Sequence, residues 1–389
     1  MPTYPIITGI DVYEFWFEVK DMAPNPDSGS IVYTPGHNLK ATHFALKVHT
    51  DQGITGDYQG YPLLDAMAIR LFAHRLIGKN ALERERIYND VKRAMRAFSR
   101  VGMGIVDIAL WDIAGKYFNA PIWRLLGGHP KRLPAYASTY HGDETNGGLN
   151  SPEAYADFAE QCLEMGYPAY KIHGWENGLI RREIENIKTV AERVGGKMQL
   201  MLDPACAYET FADAVLVGHA CDDARFFWYE DPFKDGGISQ FAHRRLRQLI
   251  RTPLLQCEHH RGLEPHVDFA LGDATDLVRG DPEYDGGITG VMKLAHACEG
   301  LGLDLEIHGP GPAKRHCMAS IRNTNYYEMS LVHPKGGFYG PPVYRSDYQD
   351  GLDAISKDGC VPVPEGPGLG VEYDWDYIEK HAAGFVTYK

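Results

Sequence analysis

The chain has 389 residues, 44% hydrophobic and 23% charged, so it can bury a large core or form two domains. Its formal net charge is −13 and it has no long run of Lys and Arg, which argues against a nucleic-acid-binding protein. Seven cysteines without a CxxC pair argue against a disulfide framework and a zinc ribbon, and they indicate a reducing compartment.

The sequence shows neither a secretion signal nor a membrane segment. The N-terminal residues, MPTYPIITGIDVYEF, lack the basic and apolar regions of a signal peptide. No uninterrupted apolar stretch reaches the roughly 18 residues that a membrane-spanning helix needs. We therefore expect a cytoplasmic protein that contacts no membrane.

The first part of the chain mixes strand patterns with helix patterns. A strand pattern in ITGIDVYEFWFEV precedes residues 22–38, whose Pro, Gly, Ser and Asn content predicts a loop between two strands. Residues 42–49 alternate like the second strand. Helical spacing follows over residues 63–98 and 102–126, and the pair Gly127-Gly128 predicts a domain boundary there.

Eight short apolar runs, separated by helical stretches, fill most of the remaining chain. They are LPAYAST (133–139), AYKIH (169–173), MQLMLD (198–203), RFFWYE (225–230), PLLQCE (253–258), TDLVRGD (275–281), LDLEIH (303–308) and NYYEMS (325–330). This alternation predicts a parallel β/α barrel. A doubly wound open sheet is the competing architecture, but it usually carries a glycine-rich phosphate loop, and no GxGxxG spacing follows the first run.

Most of these predicted strands end in or near an ionisable residue. The residues are Lys171, His173, Asp203, Glu230, Glu258, Asp281, His308 and Glu328. The carboxyl ends of barrel strands meet at one mouth, so we expect these side chains to face one another. The carboxylates at 203, 230 and 258 are 27 and 28 residues apart, which is the length of one βα repeat.

Three converging carboxylates repel one another and need a cation. Oxygen ligands favour Mg²⁺, with Mn²⁺ as the alternative, and this set lacks the His and Cys ligands typical of zinc. Each carboxylate could instead cap the following helix, because Asp is common at helix N-termini. Three such residues at successive strand ends, next to Lys and His, favour a metal site.

Six motifs, in their order and spacing, resemble those of the enolase superfamily, specifically its mandelate racemase-like branch. They are DIALWDIAGK (107–116), LLGG (125–128), LMLD (200–203), WYEDP (228–232), GDPEYDGGITG (280–290) and EIHG (306–309). The resemblance runs nearly end to end and implies an α/β fold. It implies a modified TIM-type barrel over residues 129–365 and an α+β capping domain over residues 1–128, which the C-terminal segment 366–389 completes.

The resemblance also implies roles for the strand-end residues. Asp203, Glu230 and Glu258 would bind Mg²⁺, and His308 would be an acid/base catalyst held by Asp281. Such a site suits removal of the proton next to a carboxylate, because a divalent ion, a lysine and a protonated acid together stabilise the enediolate. Histidine titrates near neutrality, and an Asp partner fixes its tautomer.

The chain departs from the family pattern after the second barrel strand. The branch usually carries Lys-x-Lys there, and this chain has Lys171-Ile172-His173. Lys171 would be a fixed positive charge near the substrate carboxylate, and Glu328 would contact that carboxylate or its enolate. His173 faces the same side as Lys171. It is either a base on the opposite face of the substrate, an acid for a leaving hydroxyl, a hydrogen-bond partner of the substrate, or a packing residue.

A second departure follows Asp203, where Ala205 replaces a frequent Asn and Cys206 comes next. Beyond Glu258, the pair His259-His260 resembles that of rhamnonate dehydratase-like members. Its first member would add an acid or a contact to a polyol, or both would be solvated loop residues. In segments that close the barrel mouth of such enzymes, further expected substrate contacts are Tyr33, His37, Tyr58 and Tyr61.

Dehydration of a sugar acid to a 2-keto-3-deoxy acid is the function that this resemblance favours, because several histidines near the mouth offer acids for a departing hydroxyl. A racemase or epimerase is the alternative, since His173 and His308 on opposite faces also suit 1,1-proton transfer. A catalytically silent sugar-acid binding protein would predict a missing ligand. An aldolase-type barrel would need Lys171 as a Schiff-base nucleophile, away from metal ligands. The expected partners are a small-molecule carboxylate and further copies of the chain, since such barrels often form even-numbered oligomers.

Overall fold

The computed structural model describes residues 4–61, 63–176 and 179–389. Its strands are β1 (Ile7–Pro24), β2 (Ile31–Thr50), β3 (Thr55–Gly60), β4 (Leu133–Thr139), β5 (Ala169–Ile172), β6 (Gln199–Leu202), β7 (Trp228–Glu230), β8 (Leu254–Gln256), β9 (Leu277–Gly280), β10 (Asp304–Ile307), β11 (Tyr327–Val332), β12 (Cys360–Val361) and β13 (Ala382–Tyr388). Its α-helices are α1 (Leu63–Ala68), α2 (Arg84–Ala94), α3 (Met103–Tyr117), α4 (Ile122–Leu125), α5 (Pro152–Met165), α6 (Ile180–Val194), α7 (Phe211–Ala224), α8 (Gln240–Arg247), α9 (Leu263–Leu271), α10 (Gly287–Leu301), α11 (Pro312–Ser320) and α12 (Trp375–Lys380). No helix among the described residues is long and apolar enough to cross a bilayer.

A four-stranded antiparallel sheet joins the two ends of the chain, with strand order β13-β1-β2-β3. Along β1 the residues Phe15, Phe17 and Val19 are buried in one core cluster, as period-two alternation requires of a sheet covered on one face. The same cluster contains Ile378 of α12, so the C-terminal segment packs on the N-terminal sheet.

Residues 22–38, for which the composition predicts a loop, are mostly strand, and that prediction is wrong. β1 continues to Pro24 and β2 begins at Ile31, so only residues 25–30 form the turn. The Pro- and Gly-rich composition misleads because this half of the hairpin is largely exposed, where a strand tolerates polar residues. The helical prediction over residues 63–98 is confirmed only in part, since α1 and α2 cover two sections of it.

The second sheet contains eight parallel strands in the order β10-β9-β8-β7-β6-β5-β4-β11. The two ends of this row, β10 and β11, pack against each other, and one helix from α5 to α11 lies between each successive pair of strands. The predicted parallel barrel is therefore confirmed, and each of the eight predicted apolar runs overlaps one strand.

One apolar residue from each of six neighbouring strands fills the barrel interior. These residues are Tyr136, Ala169, Met201, Trp228, Leu255 and Leu277. Residues two positions farther along a strand lie on the same side and nearer the carboxyl end. This rule places Lys171, Asp203, Glu230 and Arg279 together above the interior layer.

The helix α3 connects the N-terminal sheet to the barrel. It is apolar on nearly every face, which is typical of a helix buried on all sides, and it packs on β3 and α10. Asp107 accepts hydrogen bonds from the backbone N (2.9 Å) and the Oγ1 (2.7 Å) of Thr289. Gly104 lies so close to the barrel that a Cβ there would be 2.4 Å from the carbonyl oxygens of Pro282 and Glu283.

Replacement of Gly104 by Ala should therefore destabilise the protein, because the clashing carbonyls belong to backbone that cannot rotate away. Overpacking of this kind costs about 1–3 kcal/mol. The matched control is Gly300→Ala in α10, where an added Cβ meets no atom within 4 Å and should stabilise the helix slightly. Thermal unfolding should show a lower midpoint for the first variant only. Equal midpoints for both variants would contradict the tight contact between α3 and the barrel.

Candidate active site

A cavity of about 710 Å³ opens at the carboxyl ends of the barrel strands. The barrel supplies its floor, and β3 supplies part of its wall through Tyr58 and Gly60, followed by Tyr61. Residues 338–342, 344 and 348–351, which follow the last barrel strand, supply another part of the wall. The cavity therefore lies between the two sheets of the chain, where a substrate could be enclosed.

Three carboxylates from successive strands converge in this region. Asp203 follows β6, Glu230 ends β7 and Glu258 follows β8, and an oxygen atom of each lies within 4.8 Å of the others. Burial, and then the charges of Asp203 and Glu258, raise the pKa of Glu230. A divalent cation would offset this repulsion, and a donor set made only of carboxylate oxygens fits Mg²⁺.

Two buried cations hold the carboxylates together. The Lys171 Nζ lies 3.0 Å from Asp203 Oδ2, 3.0 Å from Glu230 Oε2 and 3.1 Å from Glu328 Oε1. Arg279 is fully buried, with its Nε 2.9 Å from Glu230 Oε1 and its Nη2 2.8 Å from Glu328 Oε2. Arg279 was not predicted as a site residue, although an arginine inside the apolar run LVRG was a signal for it.

The lysine in this network stays charged. Burial alone would lower the pKa of Lys171, but Glu230, Glu328 and Asp203 raise it well above its ordinary value. A Schiff-base nucleophile must be a neutral amine, so these contacts argue against an aldolase-type mechanism. The same cations keep Glu328 ionised: burial would raise its pKa, but Lys171 and Arg279 lower it well below the usual range.

A histidine–aspartate pair lies beside the carboxylates. The His308 Nδ1 is 2.7 Å from Asp281 Oδ2, and the Nε2 is 3.4 Å from Glu258 Oε1. Burial would raise the pKa of Asp281, but Lys314 and His308 hold it at about 2, so this carboxylate accepts the hydrogen bond from Nδ1. Burial would lower the pKa of His308, but Glu258 and Asp281 raise it overall. The pair therefore presents a basic imidazole nitrogen to the cavity.

His173 approaches the carboxylates from another strand end. Its Nε2 lies 3.1 Å from Asp203 Oδ2, and its Nδ1 lies 2.7 Å from the carbonyl oxygen of Thr139. His308 contacts Glu258 instead, so the two imidazoles border different members of the carboxylate group. His173 is thus a cavity-lining residue and not simply part of the apolar core.

The predicted substrate contacts divide into two groups. Tyr58, Tyr61 and His259 line the cavity. Among the described residues that line it, Tyr33 and His37 are absent. Tyr33 is buried and stacks on His333 with ring centroids 4.6 Å apart, and His37 is exposed on β2. The structure therefore does not bring this second pair to the site, because strand pairing, not a closing loop, fixes residues 31–38.

Several residues outside the predicted set also line the cavity. Glu283 accepts a 2.5 Å hydrogen bond from the Tyr58 hydroxyl, and burial raises the pKa of Glu283 to about 7. Lys314 lies 3.3 Å from Asp281, and the His141 Nδ1 lies 3.1 Å from the carbonyl oxygen of His173. Glu283 had a signal in the sequence, since it lies two positions after Asp281 within the GDPEYDGGITG motif.

Two family descriptions match the chain. "Enolase C-terminal domain-like" matches residues 154–377, and "Mandelate racemase / muconate lactonizing enzyme, N-terminal domain" matches residues 18–127. A crystal structure of D-glucarate dehydratase from Agrobacterium tumefaciens, complexed with magnesium, is 28% identical with a TM-score of 0.88 and covers 98% of this chain and 100% of its own.

Two curated relatives are similar over most of the chain. D-gluconate dehydratase of Thermoproteus tenax is 24% identical over 87% of this chain and 69% of its own length. D-galactarolactone cycloisomerase of Agrobacterium fabrum is 26% identical over 87% of this chain and 91% of its own. The chain therefore belongs to the enolase superfamily, in its mandelate racemase-like branch.

Proposed function

We propose that this protein is a Mg²⁺-dependent lyase that dehydrates a sugar acid to a 2-keto-3-deoxy acid. The observation that carries the proposal is the pair formed by His308 and Asp281 next to three converging carboxylates, with His308, Asp203 and Glu258 lining the cavity. The likeness to a magnesium-containing D-glucarate dehydratase supports it. A silent binding protein would be expected to lack one of these groups, and the three carboxylates and the His308–Asp281 pair are all present.

The residues Asp203, Glu230 and Glu258 would hold the cation. When bound, Mg²⁺ supplies a Lewis acid that polarises a carboxylate and stabilises negative charge as the neighbouring C–H bond breaks. Lys171 adds a second positive charge that burial and its three carboxylate partners hold in place. Such fixed charges stabilise an enediolate without reorganising during the reaction.

Proton removal is assigned to His308. Its Nδ1 is held by Asp281, so the Nε2 is free to accept the α-proton of a substrate in the cavity. Glu328 lines the same cavity and orients Lys171 and Arg279 through two ion pairs, which places it for contact with the substrate carboxylate or its enolate.

Loss of the β-hydroxyl then needs an acid. His308 carries a proton after the first step, and His173 lies at another border of the carboxylate group. Elimination on one face of the substrate would use His308 twice, whereas elimination across two faces would use His173 for the departing hydroxyl.

A second candidate function is 1,1-proton transfer by a racemase or epimerase. It is favoured by the same two imidazoles, since each lines the cavity and each borders a different carboxylate. In that reaction one histidine removes the α-proton, and the other, protonated, donates its own proton to the opposite face of the carbon. The presence of a cycloisomerase among the relatives is consistent with isomerase chemistry on this scaffold.

An assay against aldonic and aldaric acids tests the proposal. With Mg²⁺ or Mn²⁺ present, at least one acid should give a 2-keto product that reacts with semicarbazide to form an absorbing semicarbazone. Enzyme treated with EDTA should give none until a divalent cation is restored. If no acid yields a keto product but one exchanges its α-hydrogen in D₂O, the dehydratase assignment is lost and the epimerase stands.

The variant His308→Asn should lower turnover by roughly 10²–10⁴-fold, which is the usual contribution of a general base. Asparagine can still donate to Asp281, so the fold should be kept. The control is His296→Asn on the exposed side of α10, which should retain wild-type turnover. Turnover and thermal unfolding should be measured together. A loss of only a few-fold, with an unchanged unfolding midpoint, would show that another group moves the proton.

The variant Glu230→Gln should lower Mg²⁺ affinity at least tenfold, since even groups that only orient a metal ligand contribute about 10–100-fold. The matched control is Glu306→Gln, which is equally buried in β10 but bonds to Asn325 and not to the carboxylate group. Calorimetric titration with Mg²⁺ gives both affinities. Unchanged affinity in the first variant would remove Glu230 from the ligand set.

A further inference from the structure

A second group of side chains that can bind a metal lies on the same three loops as Asp203, Glu230 and Glu258. It consists of Cys206, Asp231 and His259, and one donor atom of each lies within 4.8 Å of the others. Each residue follows one member of the carboxylate group on the loop after the same strand, by three, one and one positions. The two groups therefore share three loops but no residue.

The environment of the Asp231 carboxylate indicates that a cation binds here. The residue is only 2% exposed, and neither of its carboxylate oxygens has a hydrogen-bond donor among the described residues. Its near neighbour is the imidazole of His259, whose Nε2 lies 3.5 Å from Oδ2. A buried carboxylate without partners is costly, so a positive charge at this place would remove a substantial penalty.

Backbone hydrogen bonds hold the loops that carry the group. The amide of Cys206 donates to the carbonyl oxygen of Asp231 at 2.7 Å. Two residues farther, the amide of Tyr208 donates to Pro232 at 3.0 Å, and the amide of Lys234 donates to Tyr208 at 3.1 Å. These bonds fix the separation of Cys206 and Asp231, so a ligand would meet a site that is already assembled.

The donor chemistry differs from that of the carboxylate group. A thiolate, an imidazole and a carboxylate form the mixed set that Zn²⁺ and similar cations prefer. Zinc bonds of about 2.0–2.3 Å in a tetrahedral arrangement place ligand atoms roughly 3.3–3.8 Å apart. The distance of 3.5 Å between His259 and Asp231 falls in this range.

We propose that Cys206, Asp231 and His259 form a second metal site, which takes a borderline divalent cation such as Zn²⁺ or Co²⁺. Asp231 and His259 line the main cavity, so the ion lies in the cavity wall with a coordination position open to it. An ion bound there occupies the imidazole of His259 and removes that residue as a contact for substrate. The proposal does not depend on the sugar-acid reaction.

A titration of the full-length protein with Co²⁺ in excess Mg²⁺ tests the site. A thiolate bound to Co²⁺ gives a charge-transfer band in the near ultraviolet, whereas Co²⁺ that replaces Mg²⁺ among carboxylates gives none. We expect this band to saturate at one equivalent of Co²⁺. The variant Cys206→Ser should abolish it and lower Zn²⁺ affinity by about 100-fold or more, because removal of a ligand exceeds the loss from removal of an orienting partner.

The matched control is Cys360→Ser, which changes the other half-exposed cysteine and should keep the band. A second variant, His259→Ala, alters a side chain that is 44% exposed and should fold normally while it weakens Zn²⁺ binding. Absence of the band in the wild-type protein would overturn the proposal. So would a band that persists in Cys206→Ser, or Zn²⁺ affinity that His259→Ala leaves unchanged.

Discussion

Repulsion between buried carboxylates at the barrel mouth is the constraint on which the rest of the site depends. Lys171 and Arg279 compensate this repulsion from inside the barrel, and each contacts both Glu230 and Glu328. Loss of one partner from such a buried pair typically costs about 3–5 kcal/mol, because the remaining charge is left without compensation. The two cations therefore hold the fold and set the electrostatics of the cavity at the same time.

The barrel meets this constraint through simple strand geometry. Side chains alternate along a strand, so the residue two positions beyond an interior apolar residue faces the mouth. Lys171, Asp203, Glu230 and Arg279 all follow this rule relative to the interior layer. Glu258 does not, because β8 ends at Gln256 and Cys257 has a left-handed backbone conformation, with φ of 93°. That turn brings the third carboxylate back toward the other two.

The parts of the molecule that the sequence predicts well are those whose apolar residues recur at a regular spacing. Eight apolar runs at βα spacing predict the barrel, and the barrel in turn predicts that the strand-end side chains meet at its mouth. Arg279 escapes prediction because its partners, Glu230 and Glu328, lie two strands away on either side and far from it in sequence, so no local pattern marks the ion pairs. The cap is predicted less well, since the composition of residues 22–38 suggests a loop where strand pairing to the rest of the hairpin decides the structure. The same pairing explains why Tyr33 and His37 lie away from the cavity.

The two ligand groups on the loops after β6, β7 and β8 differ in the cation that each prefers: one suits a hard cation and the other a softer one. Carboxylate oxygens alone suit Mg²⁺, whereas thiolate and imidazole bind first-row transition metals more tightly than they bind Mg²⁺. On the loop after β6, Cys206 adds a soft donor three positions after Asp203. This one side chain changes which cations the barrel mouth can bind, without altering the three carboxylates or the buried cations that hold them.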